Sequence, residues 1–261
     1  MEFLMRPEVW GALLTLTFLE IVLGMDNIIF ISIAANKLKE EEQGRARNVG
    51  MFLAMLLRVI LLFGISFLIA MQDSFMDFDL GWLKVGVSGQ SIIMALGGMF
   101  LLYKSTSEIH HKLEGEEEEE QTVKKKISIS KVIMEITLIN IVFSFDSILT
   151  AVGMTTGLDG SLSVMIISVV LSMVIMMVFA GPVGKFVNKH PSIQMLGLSF
   201  LILIGFMLIA EGAHLAHLSI FETHIGVIPK GYLYFAISFS LFVEFLNLRL
   251  KRRAIAKRTK K

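Results

Sequence analysis

Residues 16–30 read LTFLEIVLGMDNIIF, and residues 136–150 read ITLINIVFSFDSILT. Laid over one another without a gap, Thr17 falls on Thr137, Ile21 on Ile141, Val22 on Val142, Asp26 on Asp146 and Ile28 on Ile148. Each copy is an apolar run with acidic or amide side chains in its middle. Each lies inside a longer apolar block, of the length needed to cross a hydrocarbon core of roughly 30 Å. The whole chain has the same character: of 261 residues, 54% are hydrophobic and 18% charged, with a mean hydropathy of +0.72. A soluble domain carries roughly 25% charged residues. The composition therefore excludes a soluble enzyme and a nucleic-acid-binding domain and requires a polytopic membrane protein. The absence of cysteine removes disulfides, thiolate metal sites and dithiol redox chemistry.

Working outward from the two motifs, apolar stretches predict seven spans at about 9–35, 47–71, 88–104, 130–154, 162–181, 192–211 and 231–248. The start of the chain does not read as a cleavable signal, because its first apolar block carries Glu20 and Asp26. Basic residues alternate by loop. Lys37, Lys39, Arg45 and Arg47 fall between the first two spans, and Lys104, Lys112, Lys124, Lys125, Lys126 and Lys131 lie around 104–131. Lys185 and Lys189 follow the fifth span, and the tail at 249–261 reads RLKRRAIAKRTKK. The intervening segments hold Arg6, Lys84 and Lys230. The positive-inside rule then places the N-terminus outside and the C-terminus in the cytoplasm of a multi-pass protein of the cell (inner or plasma) membrane.

The expected fold is all-α. A first three-helix repeat occupies 1–107, a charged cytoplasmic linker 108–129 and a second three-helix repeat 130–212. A seventh span at 231–248 and the basic tail at 249–261 complete the chain. An odd number of spans per repeat forces the copies into opposite orientations, as in secondary transporters whose sites lie near the midplane between repeats. The linker, with His110, His111 and glutamates 116–120, reads as solvated. The tail reads as an orientation signal and an anchor to anionic lipid.

A charged side chain at the bilayer centre costs roughly 2.5–3.5 kcal/mol on insertion scales, and such residues are by default functional. Glu20, Asp26, Arg58 and Asp146 lie well inside spans, accompanied by Asn27, Asn140 and Ser147. One arginine cannot neutralise three carboxylates, which favours an ion site with Arg58 as counter-ion over a purely structural ion pair. Glu135, Glu211 and Glu244 lie near span ends, where water is within reach. Glu20 and Asp26 are about 120° apart around a helix, whereas Glu20 and Asn27 share a face, as do Asn140 and Ser147. Ligands must therefore come from both repeats, or a helix must open near Gly24 or Ser144. At a rise of about 1.5 Å per residue the polar groups sort into two layers. The outer layer holds Glu20, Asp146 and Ser147; the inner one holds Asp26, Asn27 and Asn140, with Arg58 at intermediate depth.

Carboxylate and amide oxygens without sulfur suit hard cations such as Mn²⁺, Mg²⁺ or Ca²⁺. The 17 methionines are scattered along the spans and read as packing and lipid-facing residues. Glu211, His214 and His217 could form a weak metal stop, but their place at a span end favours an interfacial role.

The stretches LEIVLGMDNIIF (19–30) and VFSFDSILTAVGM (142–154), with GGMFLLYKSTSEIHHKLE (97–114), KFVNKHPSI (185–193) and IPKGYLYFAISFSLFVE (228–244), resemble the TerC family of integral membrane proteins. The resemblance covers essentially the whole chain. It implies a fold similar to the lysine-exporter superfamily, a role in manganese efflux or in metal loading of exported proteins, and ion-site roles for Glu20, Asp26, Asn27, Asp146 and Ser147. The family pattern carries Asp where this chain has Asn140. Tellurite chemistry finds no support, since reducing tellurium oxyanions would call for thiols or a redox cofactor.

The expected function is export of a divalent cation, Mn²⁺ first, through a midplane site of carboxylates, with no catalysis and no cofactor beyond the transported ion. The competing readings are an exporter of another cationic solute and a non-transport membrane partner linked to metal homeostasis. The expected partners are the metal ion, the bilayer and its anionic lipid, with a homo-oligomer or other membrane proteins as further candidates and nucleic acid excluded.

Overall fold

In the computed structural model the described residues are 6–64, 67, 69, 71–114, 127–155, 157–158, 160–221 and 223–258. The side chains of Leu23, Met25, Asp26, Asp146 and residues 251–258 lie outside this description.

Long apolar runs with few breakers become long helices. They are α1 (Pro7–Ala35), α2 (Glu40–Phe63), α3 (Gly89–Leu113), α4 (Ile129–Thr155), α5 (Ser161–Asn188), α6 (Pro191–Leu215) and α7 (Lys230–Arg258). Proline opens α1 and α6 at the first turn, where its missing N–H leaves no helical bond unmade. Ser88 caps α3 reciprocally with Ser91, each hydroxyl accepting the other's backbone N–H.

Among the described residues, α2, α4, α5, α6 and Lys230–Leu250 of α7 are each long and apolar enough to cross a membrane. Pro7–Val22 and Asn27–Ala35 of α1 form a sixth span if taken together, bent by 42° at the break between them. The chain is thus an all-α polytopic membrane protein, with five or six such helices among the described residues, against the seven expected. The difference lies in α3 and, where the two parts of α1 are not joined, in α1. Helix α3 covers the stretch expected at 88–104 but continues into Lys104, Glu108, His110, His111 and Lys112, so length and apolarity alone do not mark it as a span.

Helix α3 nonetheless packs closely against α6. A Cβ built on Gly98 would stand 2.5 Å from the Gly205 carbonyl oxygen, and one on Gly205 would stand 2.9 Å from that of Gly98. Only glycine at both positions lets the two backbones meet, the small-residue contact that joins helices in lipid. Elsewhere α1 packs on α5, α2 on α4 and on α5, and α1 on α4; α7 touches the bundle through α6.

The segments expected as loops at 72–87 and 212–230 contain a small antiparallel sheet. It comprises β1 (Ser74–Asp79), β2 (Leu83–Ser88), β3 (Ser219–Ile220) and β4 (Thr223–His224), in the order β1-β2-β3-β4. The alternation in FMDFD and LKVGV fits strands, and β2 pairs with β3 through Leu83–Ile220 and Lys84–Ser219. The sheet therefore gathers the start of α3, the end of α6 and the approach to α7 at one end of the bundle.

The opposite end is tied by polar contacts. Lys37 contacts Glu108 and, at 3.4 Å, Glu135; Lys104 lies 3.1 Å from Glu108 and 3.0 Å from Glu135. Burial pushes the Glu108 carboxyl up, but Lys37 and Lys104 outweigh it and hold that group below its ordinary range. Asn36 and Asn188 exchange amide hydrogen bonds beside this network. The expected linker between 115 and 126 lies outside the described residues.

Candidate ion site

Four helices bring the polar motifs together. Glu20, Gly24 and Asn27 of α1, Arg58 of α2, Asn140, Phe143 and Ser147 of α4, and Met173 and Met176 of α5 line one cavity of about 30 Å³. One water needs roughly 10–15 Å³ of such space, so the cavity holds one or two waters or a single desolvated ion.

Helical spacing explains the gathering. Glu20 and Asn27 are seven residues apart, as are Asn140 and Ser147, so each pair projects from one face of its helix. Gly24 sits between the first pair, where α5 comes close: a Cβ there would lie 2.1 Å from the Met176 sulfur. The same region carries the 42° bend of α1.

The cavity is occupied at one side by an ion pair. Arg58 Nη1 lies 2.5 Å from Glu20 Oε2, with both residues buried at 7% and 4% exposure. The guanidinium also donates through Nη2 to Ser147 Oγ at 2.6 Å and through Nε to Ser144 Oγ at 3.1 Å. The two hydroxyls in turn donate along their own helix, Ser144 to the Asn140 carbonyl at 2.6 Å and Ser147 to that of Ser144 at 3.1 Å. Arg58 thus joins the first motif to the second.

Two amides complete the lining. Asn140 donates from Nδ2 to the Ile136 carbonyl at 2.9 Å, leaving its amide oxygen available. Asn27 Oδ1 is fully buried and has no hydrogen-bond partner among the described residues. An orphaned buried acceptor costs roughly 1–3 kcal/mol, and Asn27 lines the cavity together with Glu20.

Of the residues singled out from the sequence, Glu20, Asn27, Arg58, Asn140 and Ser147 meet at this one cavity. The side chains of Asp26 and Asp146 lie outside the described residues. Two layers were expected, but the described members of both open on the same space: Glu20 and Ser147 from one, Asn27 and Asn140 from the other. Among the described residues no three His, Cys, Asp or Glu side chains cluster as a metal site. His214 instead engages the Ile225 carbonyl at 3.1 Å through Nδ1, and Glu244 accepts from Ser192 at 2.5 Å. Glu135 belongs to the charged network at the bundle end.

Sequence reasoning read Met173 and Met176 with the other methionines as packing or lipid-facing residues; both are buried in the core, and they also line the cavity. Their spacing of three along α5 was the available signal. It also gave Ser144 no role as an acceptor for Arg58, and it missed the pairing of Lys37 and Lys104 with Glu108 and Glu135, of which only Lys104 and Glu108 are neighbours on one helix.

Residues 5–261 match the family described as "Integral membrane protein TerC family". The chain belongs to the TerC family of integral membrane proteins. It is 42% identical over 258 residues to "UPF0053 inner membrane protein YoaE" of Escherichia coli (strain K12), covering 98% of this chain and 46% of that relative. It is 43% identical over 242 residues to "UPF0053 inner membrane protein YgdQ" of the same strain, covering 93% of each. A "UPF0053 protein" of Haemophilus influenzae is 39% identical over 251 residues, covering 96% of this chain and 98% of its own. The chain therefore spans about half the length of the first relative and nearly all of the other two. No solved structure matches it.

Proposed function

We propose that this TerC-family chain is a transporter, not an enzyme, that exports a divalent metal cation, Mn²⁺ first, through the cavity between α1, α2, α4 and α5. The observation that carries the reading is the unpartnered, buried Asn27 Oδ1 on the same small cavity as the Glu20 carboxylate. An unpartnered oxygen acceptor on a residue that lines a cavity with a buried carboxylate suits a cation as ligand. Asn140 and Ser147 add oxygen donors from the opposite motif, and we assign Asp26 and Asp146 to the same site from their places in the two motifs. Arg58 is the counter-ion.

The size of the cavity favours a metal ion over an organic cation, because about 30 Å³ has no room for an amino acid. Its lining also discriminates among metals. Oxygen ligands suit Mg²⁺, Ca²⁺ and Mn²⁺ alike, and the thioethers of Met173 and Met176 on the same cavity favour Mn²⁺, the softest of the three. The mixed set supports Mn²⁺.

We further propose seven crossings arranged as an inverted repeat, 1–107 against 130–212, with 231–248 as an added span, the N-terminus outside and the basic tail at 249–261 inside. Helix pairing supports this. Exchanging α1 with α4, α2 with α5 and α3 with α6 turns the α1–α5 contact into α4–α2, and the α1–α6 contact into α4–α3. Each of these contacts occurs. In addition, α3 runs from the sheet end of the bundle to the Lys104–Glu108 end beside α6, as a crossing helix would.

The test is Mn²⁺ flux in proteoliposomes of the purified chain, with Mg²⁺, Ca²⁺ and lysine as competitors. The proposal expects saturable flux that Mg²⁺ and Ca²⁺ inhibit weakly and lysine not at all. Inhibition by lysine, or the absence of flux, would overturn it.

A further inference from the structure

The Arg58 guanidinium is held more completely than a counter-ion requires. Nη1 meets a carboxylate on α1, while Nη2 and Nε meet two hydroxyls on α4. Two of these three acceptors, Glu20 and Ser147, line the cavity that Asn27, with its unpartnered buried oxygen, also lines. The positive charge therefore already occupies the flank of the site where a metal ion would need its anionic ligand.

A guanidinium stays protonated throughout the physiological range. It can neutralise Glu20 without taking up or releasing a proton, and without a second ion from solution. The residue sits on α2, outside both motifs, so it can withdraw from them without either motif helix losing a backbone bond.

We propose that Arg58 is a tethered substitute for the transported cation, occupying Glu20 and Ser147 when the site is empty and yielding them when the metal binds. The inference rests on the transport reading above and adds how the empty carrier returns. With a built-in cation the Glu20 carboxylate stays compensated in the unloaded site, so its charge calls for no counter-transported ion. Without it, a buried Glu20 stands uncompensated unless metal is bound. The carrier is then confined to exchanging one metal ion for another.

Two fluxes from the same proteoliposomes separate these cases. Net efflux is measured from Mn²⁺-loaded vesicles into Mn²⁺-free buffer, with membrane potential clamped by potassium and valinomycin. Exchange is measured with equal Mn²⁺ on both sides and radioactive label on one. The wild type should support both. Arg58→Gln should lower the ratio of net flux to exchange by at least about tenfold, because an unpartnered buried charge strongly disfavours the empty state. Arg58→Lys, which keeps the charge but not the fork of donors, should recover much of that ratio.

An unchanged ratio in Arg58→Gln, or equal loss of both fluxes in a monodisperse variant, would overturn the proposal and leave Arg58 with a purely structural role. Should Arg58→Gln fail to fold, the Ser144→Ala/Ser147→Ala pair weakens the seat while keeping the charge. It should lower the same ratio by a few fold, and an unchanged ratio there overturns the proposal equally. Absence of both fluxes in the wild type instead defeats the transport reading itself, and this inference falls with it.

Discussion

The first motif on α1 and the second on α4 occupy matching places in sequence yet hold different chemistry. Where α1 has Glu20, Gly24 and Asn27, α4 has Asn140, Ser144 and Ser147. The α1 side offers the carboxylate and a free amide oxygen. The α4 side offers hydroxyls already committed to Arg58 and an amide tied to its own helix. The α1 helix also bends by 42° and admits Met176 against Gly24, whereas at the matching place Ser144 bonds back to the Asn140 carbonyl. On the proposed reading the comparison is a division of labour, in which α1 supplies the open ligands and α4 seats the cation that substitutes for the metal.

The largest expected effect comes from removing the charge on the α1 side. Glu20→Gln strips Arg58 of its buried partner, and breaking such a pair costs roughly 3–5 kcal/mol. Thermal unfolding in detergent should show a pronounced loss of stability, and Mn²⁺ flux should vanish. The matching change on α4, Asn140→Asp, adds a carboxylate where the wild type has an amide. Because affinity for divalent cations rises with the count of anionic oxygens, it should tighten Mn²⁺ binding and slow release, read as a lower KM together with a lower maximal rate. If the two changes had similar effects, the two motifs would be interchangeable and the comparison would fail.

A smaller contrast lies in the neutral ligands. Asn27→Ala removes an open acceptor and should weaken Mn²⁺ binding by about tenfold, the value of a charge-assisted contact of about 1.5 kcal/mol. Ser147→Ala removes a hydroxyl that Arg58 already uses and should change binding by less than half as much in free energy, as measured by competition against a fluorescent metal indicator. Gly24→Ala sharpens the comparison in packing. The added methyl meets Met176, and overpacking of this kind typically costs about 1–3 kcal/mol, so its unfolding midpoint should drop further than that of Ser144→Ala.

The smallest effect is at the bundle end. Lys37 and Lys104 hold the Glu108 carboxyl below its ordinary range despite burial. A depressed folded-state value means that Glu108 contributes stability above its unfolded pKa and loses it as pH falls through its folded one. The unfolding midpoint of the wild type should therefore exceed that of Glu108→Gln at neutral pH, and the two should converge in acid. A constant difference across that range would detach the network from stability.

Much of this was legible in the sequence. Apolar length located the helices, and the seven-residue spacings of Glu20 with Asn27 and of Asn140 with Ser147 foretold which side chains share a cavity. Depth counted along the helices separated the polar groups into two layers, whereas the described members of both line one cavity. The four-stranded sheet escaped because β3 and β4 are two residues each and β3 joins β2 from a distant part of the chain. The Lys37–Glu108–Lys104–Glu135 network escaped because each of its charges reads alone as a span-end residue that water would solvate.

The central claim is that the cavity between the two motifs binds a divalent cation through the α1 carboxylate and the open Asn27 oxygen. Calorimetric titration of Mn²⁺ into the purified wild type and into Glu20→Gln tests it most directly. The account predicts one saturable binding event in the wild type that disappears in the variant. Equal binding by the two proteins, or none by the wild type, would contradict it.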